Sequence, residues 1–283
     1  MIEWIAELGN SHNGSLDCAL KLIGLAAAAG ATAVKFQLFR IDKMFAPEIL
    51  SRSPAHRARA KYELPLEWLQ PLLERSRELG LSFGCTPCYL EAVEQLEPFV
   101  DFYKIASYEL TWHELIGVCA QTGKRLILST GMATLDEVKD AAGVAMRAGY
   151  MATDSLAVLH CVSNYPARRV DCNLSVLRTL RDNLGPAIGI GYSDHTGLLA
   201  VVRRAIDFWG AEIIEFHLND GESGDCEPGS WAPVSAAVLI GCHQMADGDG
   251  IKQPQPSEMQ ERRWRRDPSD GLRPMKELRK EFK

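Results

Sequence analysis

Gly210 to Asp220 reads GAEIIEFHLND, an apolar run that opens like a buried β-strand and then sets Glu215 and His217 where an apolar core would continue. Side chains alternate along a strand, so Ile213, Glu215 and His217 share one face while Ile214, Phe216 and Leu218 share the other. One face of an apolar strand therefore ends in a carboxylate and an imidazole.

Outward from this strand the same arrangement recurs. Short apolar runs alternate with longer segments of helical periodicity up to about residue 246, the pattern of βα units around a parallel sheet. The candidate strands are Ile2 to Ala6, Ala33 to Phe36, Ser82 to Cys85, Phe102 to Ile105, Arg125 to Ser129, Ala157 to Cys161, Ala187 to Tyr192 and Ile213 to His217. Between them, segments such as SLDCALKLIGLAAAAG, PLEWLQPLLERSRELG and HTGLLAVVRRAIDFWG carry apolar residues at helical spacing and end in Gly, the usual stop. Eight such units predict an α/β fold of the closed (β/α)₈ TIM-barrel type. A doubly wound sheet typically uses fewer strands and a Gly-rich first turn, and neither G-x-G-x-x-G nor G-x-x-x-x-G-K-[ST] is present. Residues 1–246 are expected to form the catalytic barrel, and 247–283, rich in Pro, Gly and charge, a C-terminal extension.

The chain has 283 residues, of which 46% are hydrophobic, enough for one large α/β domain or two small ones, and its net charge of -6 gives no general basic field for nucleic acid. Met1 runs directly into IEWIAELG without a basic leader or a long apolar stretch, so a cytoplasmic location and no membrane partner are expected. The eight cysteines are irregularly spaced and mostly follow or lie within apolar runs, as reduced core residues do. Cys85-Thr-Pro-Cys88 has redox or zinc spacing, but without a second pair it reads as a strand-end turn.

In a (β/α)₈ barrel the reactive groups come from the carboxyl ends of several strands. Those ends hold Glu7; Lys35 and Gln37; Thr86; Lys104, Ser107 and Glu109; Ser129 and Thr130; His160, Ser163, Asn164 and Tyr165; Tyr192, Ser193, Asp194 and His195; and Glu215 with His217. Any one of these has a structural explanation, but burying the whole ring costs too much desolvation to be filling. Two lysines among hydroxyls suit a compact polyanion, and Gln37 and Asp194 join that substrate-binding set. His195 and His217, on neighbouring strands about 4.8 Å apart, can reach one divalent cation or pack as paired core histidines.

The segments IAELGNSHNGSLDCALKLIGLAAAAGATAVKFQLF, FYKIASYEL, GKRLILSTGMAT, LHCVSNYP, GYSDHTG and GAEIIEFHLND resemble, in order and spacing, the barrel domain of N-acetylneuraminate (sialic acid) synthases and their relatives for other nonulosonic acids. The resemblance spans about Ile2 to Gly241. It implies condensation of phosphoenolpyruvate with an amino-sugar aldehyde, of the N-acetylmannosamine type, to a 2-keto-3-deoxy sugar acid and phosphate. It also implies a divalent metal, Mn²⁺ first with Mg²⁺ or Co²⁺ as alternatives, and a homodimer. By the same resemblance, phosphoenolpyruvate is held by Lys35, Thr86, Lys104, Ser107, Ser129, Ser163 and Tyr165. The metal falls to His195 and His217, and catalytic acid–base work to Glu7, Glu109, Glu215 and His195.

Three departures bear on the sugar end of the site. Phe216 stands where relatives carry a basic residue, and it should point away from the barrel axis. The stretch GESGDCEPGSWAP replaces a GPD-type loop, with Asp225 or Glu227 as the substitute acid. Where such synthases continue into a small antifreeze-like domain that caps the partner's barrel and supplies an Arg to the acyl group, this sequence runs into a tail containing Arg262, Arg263, Trp264, Arg265 and Arg266. Either the tail takes the cap's place or the acceptor is a different sugar that needs none. That tail is either a solvated extension or a segment packed over the barrel mouth that offers Arg to an anionic ligand. Two other functions compete with the synthase: a divalent-metal sugar aldolase or isomerase, which would not need the two lysines, and a silent sugar-binding scaffold, in which unused buried charges would be a standing cost.

Overall fold

The computed structural model of the chain, which describes residues 2–148, 155–221, 227–237 and 252–282, contains eight parallel strands closed into a barrel in sequence order. They are β1 (Glu3–Glu7), β2 (Ala33–Leu38), β3 (Ser82–Pro87), β4 (Phe102–Ile105), β5 (Arg125–Ser129), β6 (Leu156–His160), β7 (Gly189–Asp194) and β8 (Ile213–His217). Closure is made between β1 and β8, where Ile5 pairs with Glu215 and Glu7 with His217. The expected (β/α)₈ barrel is the fold observed. Asp225 and the expected boundary after residue 246 lie outside the described residues.

The amphipathic segments form the outer helices Leu16–Ala28, Leu69–Glu78, His113–Gln121, Leu135–Arg147 and Leu199–Asp207, with Glu91–Leu96, Val176–Leu184 and, after β8, Pro233–Ala237 also in this layer. Local chemistry sets their ends. Ser15 accepts from the Cys18 amide at 3.3 Å, and Thr134 with Glu137 makes a reciprocal capping box. After β2 the chain makes three short helices, Ile41–Met44, Pro47–Arg52 and Pro54–Ala58, each too brief to show a helical period. No helix among the described residues is long and apolar enough to cross a membrane.

Alternation along the strands fills the bore in layers. At the amino-terminal end Arg125 of β5 reaches across to Glu3 of β1 through two hydrogen bonds of 2.6 Å. Above it lies a dry layer of Ile5, Ala33, Phe102, Ile127, Ala157, Leu159 and Ile213. Gly84 is needed in this layer, because a Cβ there would stand 2.2 Å from the Phe102 ring. The outward residues pack under the helices, Phe216 among them, edge-on to Trp4 with ring centroids 6.3 Å apart.

Residues 252–282 cross the carboxyl-terminal face of the barrel. Glu258 accepts from the amides of Met132 (2.8 Å) and Ser163 (3.0 Å), joining the loops after β5 and β6. Arg262 and Arg265 pair with Glu137 at 3.0 and 3.1 Å. Trp264 stacks on His56 at 4.9 Å, and Arg273 forms an isolated bridge with Phe45, both in the loop after β2. The segment is therefore packed over the mouth, and Arg266 at its centre is fully buried.

Candidate active site

The third layer of the bore is charged. Alternation points Glu7, Lys35, Gln37, Thr86, Lys104, Ser129, Ser193 and Glu215 inward at the carboxyl ends of their strands, all but Gln37 buried. They form two clusters. In the first, Glu7 contacts Lys35 directly, its Oε1 also accepting from the Gly9 amide (2.7 Å) and Gln37 Nε2 (3.1 Å), while Lys35 Nζ donates to Thr86 Oγ1 at 3.2 Å. In the second, Lys104 Nζ donates to Ser129 Oγ (2.6 Å) and Glu215 Oε1 (3.2 Å), and Ser193 Oγ donates to the same carboxylate oxygen at 3.0 Å.

Burial alone would raise the Glu215 carboxyl, but Lys104 and Lys35 hold it at about 2. Burial lowers Lys35 to about 8, with Glu215 opposing the shift. Two ammoniums against two carboxylates leave the layer formally neutral, so an entering polyanion would need additional positive charge.

The two histidines stand directly above. Their rings lie 5.3 Å apart at 67°, with Tyr165 4.3 Å from His195 and 5.7 Å from His217. His195 Nδ1 lies 2.7 Å from the Val162 carbonyl oxygen, so that nitrogen carries the proton and Nε2 keeps its lone pair, with the Tyr165 hydroxyl as a weak partner at 3.3 Å. Burial pushes His195 down to about 4 and His217 well below the ordinary imidazole range. Two neutral imidazoles with ring centroids 5.3 Å apart are a donor pair that fits one divalent cation, while Glu215, whose Oε2 has no hydrogen bond, lines the same well. Among the described residues no third His, Cys, Asp or Glu completes a metal cluster, so substrate or water oxygens would fill its remaining positions.

The site has two chambers. An inner well of about 50 Å³ is lined by both ion pairs, Ser107, Ser129 and the two histidines. It opens past Gln37, Tyr108, Tyr165 and His217 into an outer cavity of about 490 Å³. Glu109, Ser163, Asn164 and Glu227 line the outer cavity, together with residues of the loop after β2 and of the C-terminal segment.

Not every strand-end residue faces this space. Asp194 is directed to the outside of β7 and accepts from the Thr196 and Gly197 amides, Thr196 Oγ1 and Trp231 Nε1, fixing the following loop. His160, counted above with the polar ring, is outward too, its Nε2 2.7 Å from the Cys172 carbonyl oxygen. Glu109 is drawn to the C-terminal segment, paired with Arg266 at 2.8 Å and with Arg273. Ser107 Oγ accepts from the Gly131 amide at 3.0 Å, and Ser163 Oγ is buried without a hydrogen bond among the described residues. A Cβ at Gly131 would lie 2.1 Å from that hydroxyl, which is why the turn after β5 takes glycine there. Cys85 and Cys88 are buried free thiols, with burial pushing Cys88 up to about 12, far from the thiolate that redox or metal chemistry needs.

Sequence reasoning placed Ser193 at a strand end but gave it no role in the site, and passed over Gly131 and Arg273. Period-two alternation from Gly189 places Ser193 inward, and Gly131 sits within the quoted LSTGMAT. No local pattern marks Arg273.

Comparison with known proteins gives a consistent result. Residues 22–229 match the NeuB family. The chain is 34% identical over 270 residues to the N,N'-diacetyllegionaminic acid synthase of Campylobacter jejuni, covering 90% of this chain and 80% of that one. Among solved structures, the spore coat polysaccharide biosynthesis protein SpsE of Bacillus subtilis superposes with a TM-score of 0.78 at 29% identity, covering 93% of this chain and 77% of that one. The N-acetylneuraminic acid (sialic acid) synthetase of Leptospira borgpetersenii, solved with citrate, gives 0.74 at 30% identity, with 92% and 90% covered.

Proposed function

The chain belongs to the NeuB family, and from that membership we propose that it condenses phosphoenolpyruvate with an amino-sugar aldehyde of the N-acetylmannosamine type. The products are a 2-keto-3-deoxy, sialic-acid-like sugar acid and phosphate. The observation that carries this reading is the pair of buried lysine–carboxylate clusters beneath His195 and His217, whose rings lie 5.3 Å apart.

In this reaction C3 of phosphoenolpyruvate bonds to the aldehyde carbon, water adds at C2, and the bond from C2 to the phosphate oxygen breaks. Lys35 and Lys104 hold the phosphate, with the Thr86 and Ser129 hydroxyls at their sides. His195 and His217 would hold a divalent ion, Mn²⁺ in the first instance, which when bound would supply Lewis-acid polarisation of the aldehyde. Glu7 and Glu215 are poor bases while each is paired to an ammonium. When the phosphate takes over those ammoniums the carboxylates become more basic, and one of them accepts the proton of the attacking water. Tyr165 and Gln37, between the chambers, orient the two substrates toward each other. The reaction belongs to a cytoplasmic enzyme acting as a homodimer.

The test is direct. Purified protein with Mn²⁺, phosphoenolpyruvate and a panel of amino and neutral sugars releases phosphate with at least one sugar, and mass spectrometry identifies the product. Lys35→Ala and His217→Ala each abolish release, and undiminished turnover in either would remove the assigned roles. Sugar cleavage or isomerisation without phosphoenolpyruvate would show the aldolase reading to be correct instead.

A further inference from the structure

The outer cavity has a floor and a wall of different origin. Its floor comes from the barrel, through Gln37, Tyr165 and His217, and its far wall comes from Glu261, Trp264 and Arg273 of the C-terminal segment. The inner well, at about 50 Å³, has room for only a compact group, whereas about 490 Å³ is the size of a small-molecule site. The larger co-substrate must therefore occupy the space that the segment encloses.

Several contacts hold this wall in one position. Arg266, fully buried, donates to Glu109 at 2.8 Å, to the Lys43 carbonyl at 3.2 Å and to the Cys88 carbonyl, so one guanidinium joins the loops after β2, β3 and β4. Glu261 accepts from the Tyr108 hydroxyl at 2.6 Å. The Arg273 guanidinium lies over the Tyr108 ring at 4.2 Å, is 13% exposed, and pairs on its inner side with Glu109. A wall fixed this firmly presents an aromatic ring, a guanidinium edge and a carboxylate, a combination that packs against the C–H face of a sugar while bonding its hydroxyl and carbonyl oxygens.

We propose that Trp264 and Arg273, with Glu261, contact the sugar acceptor and determine which acceptors are used, so that this chain supplies its own acceptor wall. The proposal rests on the synthase reading above. Arg266 is a positioning residue that acts through Glu109 and the three loops.

The experiment compares wild type with Trp264→Ala, Arg273→Ala and Arg273→Lys, all loaded with Mn²⁺. Phosphoenolpyruvate binding is followed by thermal shift without sugar, and KM for each substrate is measured with the best acceptor of the panel, N-acetylmannosamine included. The two alanine variants raise the acceptor KM at least tenfold and leave the phosphoenolpyruvate KM within threefold of wild type, with Arg273→Lys intermediate. An unchanged acceptor KM in both alanine variants overturns the proposal, as does a rise in both KM values together, which a general loosening of the mouth would give. If wild type releases no phosphate with any sugar, the synthase reading fails. The wall is then judged by sugar-induced thermal shift alone, where equal shifts in wild type and both alanine variants overturn it.

Discussion

Arg266 and Glu109 meet at 2.8 Å with neither side chain exposed, although 157 residues separate them in the chain. Breaking a buried pair by removing one partner costs about 3–5 kcal/mol, because the remaining charge is left uncompensated. Glu109→Gln is expected to lose about that much in urea unfolding. Burial opposes ionisation of Glu109, but Arg273 and Arg266 hold its carboxyl below the ordinary range. Its contribution is thus present above the unfolded carboxylate value, about 4, and is lost as pH falls through the lower folded value. The difference between wild type and variant should therefore shrink in strong acid. A variant as stable as wild type at pH 7 would show that the pair does not anchor the segment.

The Lys104–Glu215 pair gives a different expectation, since it lies in the site and not at its edge. Lys104→Met alone should destabilise by about 3–5 kcal/mol, whereas Lys104→Met with Glu215→Leu should come back to within about 1 kcal/mol of wild type or exceed it. Both variants should be inactive. A double-mutant cycle in denaturant checks this, and equal losses in single and double variants would mean that the two charges are not coupled.

With Lys35 holding phosphoenolpyruvate as proposed, its lowered value should set an upper pH limit on that binding. Burial lowers it to about 8, so the ammonium is present below that pH and is lost above it. Affinity for phosphoenolpyruvate should fall as pH rises through about 8, and Lys35→Met should bind weakly with no such decline. Titration calorimetry between pH 6.5 and 9.5 makes the comparison. A wild-type affinity constant across that interval would place the group that binds phosphate elsewhere.

Gly84→Ala tests the dry layer beneath the site. The added Cβ would stand 2.2 Å from the Phe102 ring, and overpacking of this kind costs about 1–3 kcal/mol. Adding Phe102→Leu should recover part of the loss. A single variant with wild-type stability would show that the ring moves aside freely.

The barrel and its inward polar layer were legible because a period of two decides every inward side chain once the strands are placed. Glu7, Lys35, Thr86, Lys104, Ser129 and Glu215 follow from that rule, and so does Ser193 in preference to Asp194. His160 was misleading as a member of the ring, since its register puts it under the helices beside Cys172. The outer cavity was not legible in detail. Its walls come from loops with no period, and Glu109 finds Arg273 across 164 residues, a pairing that no local spacing announces. The basic tail gave away its charge but not that Arg266 would be fully buried.

The bidentate Glu3–Arg125 pair shuts the far end of the bore. Among the described residues the bore is consequently a cul-de-sac, and under the proposed reaction traffic through it has to queue. A reactant lodged at the bottom must arrive before the one that stands in the doorway. Under the proposed reaction, phosphate released at the bottom is expected to depart only after the sugar acid has cleared the exit.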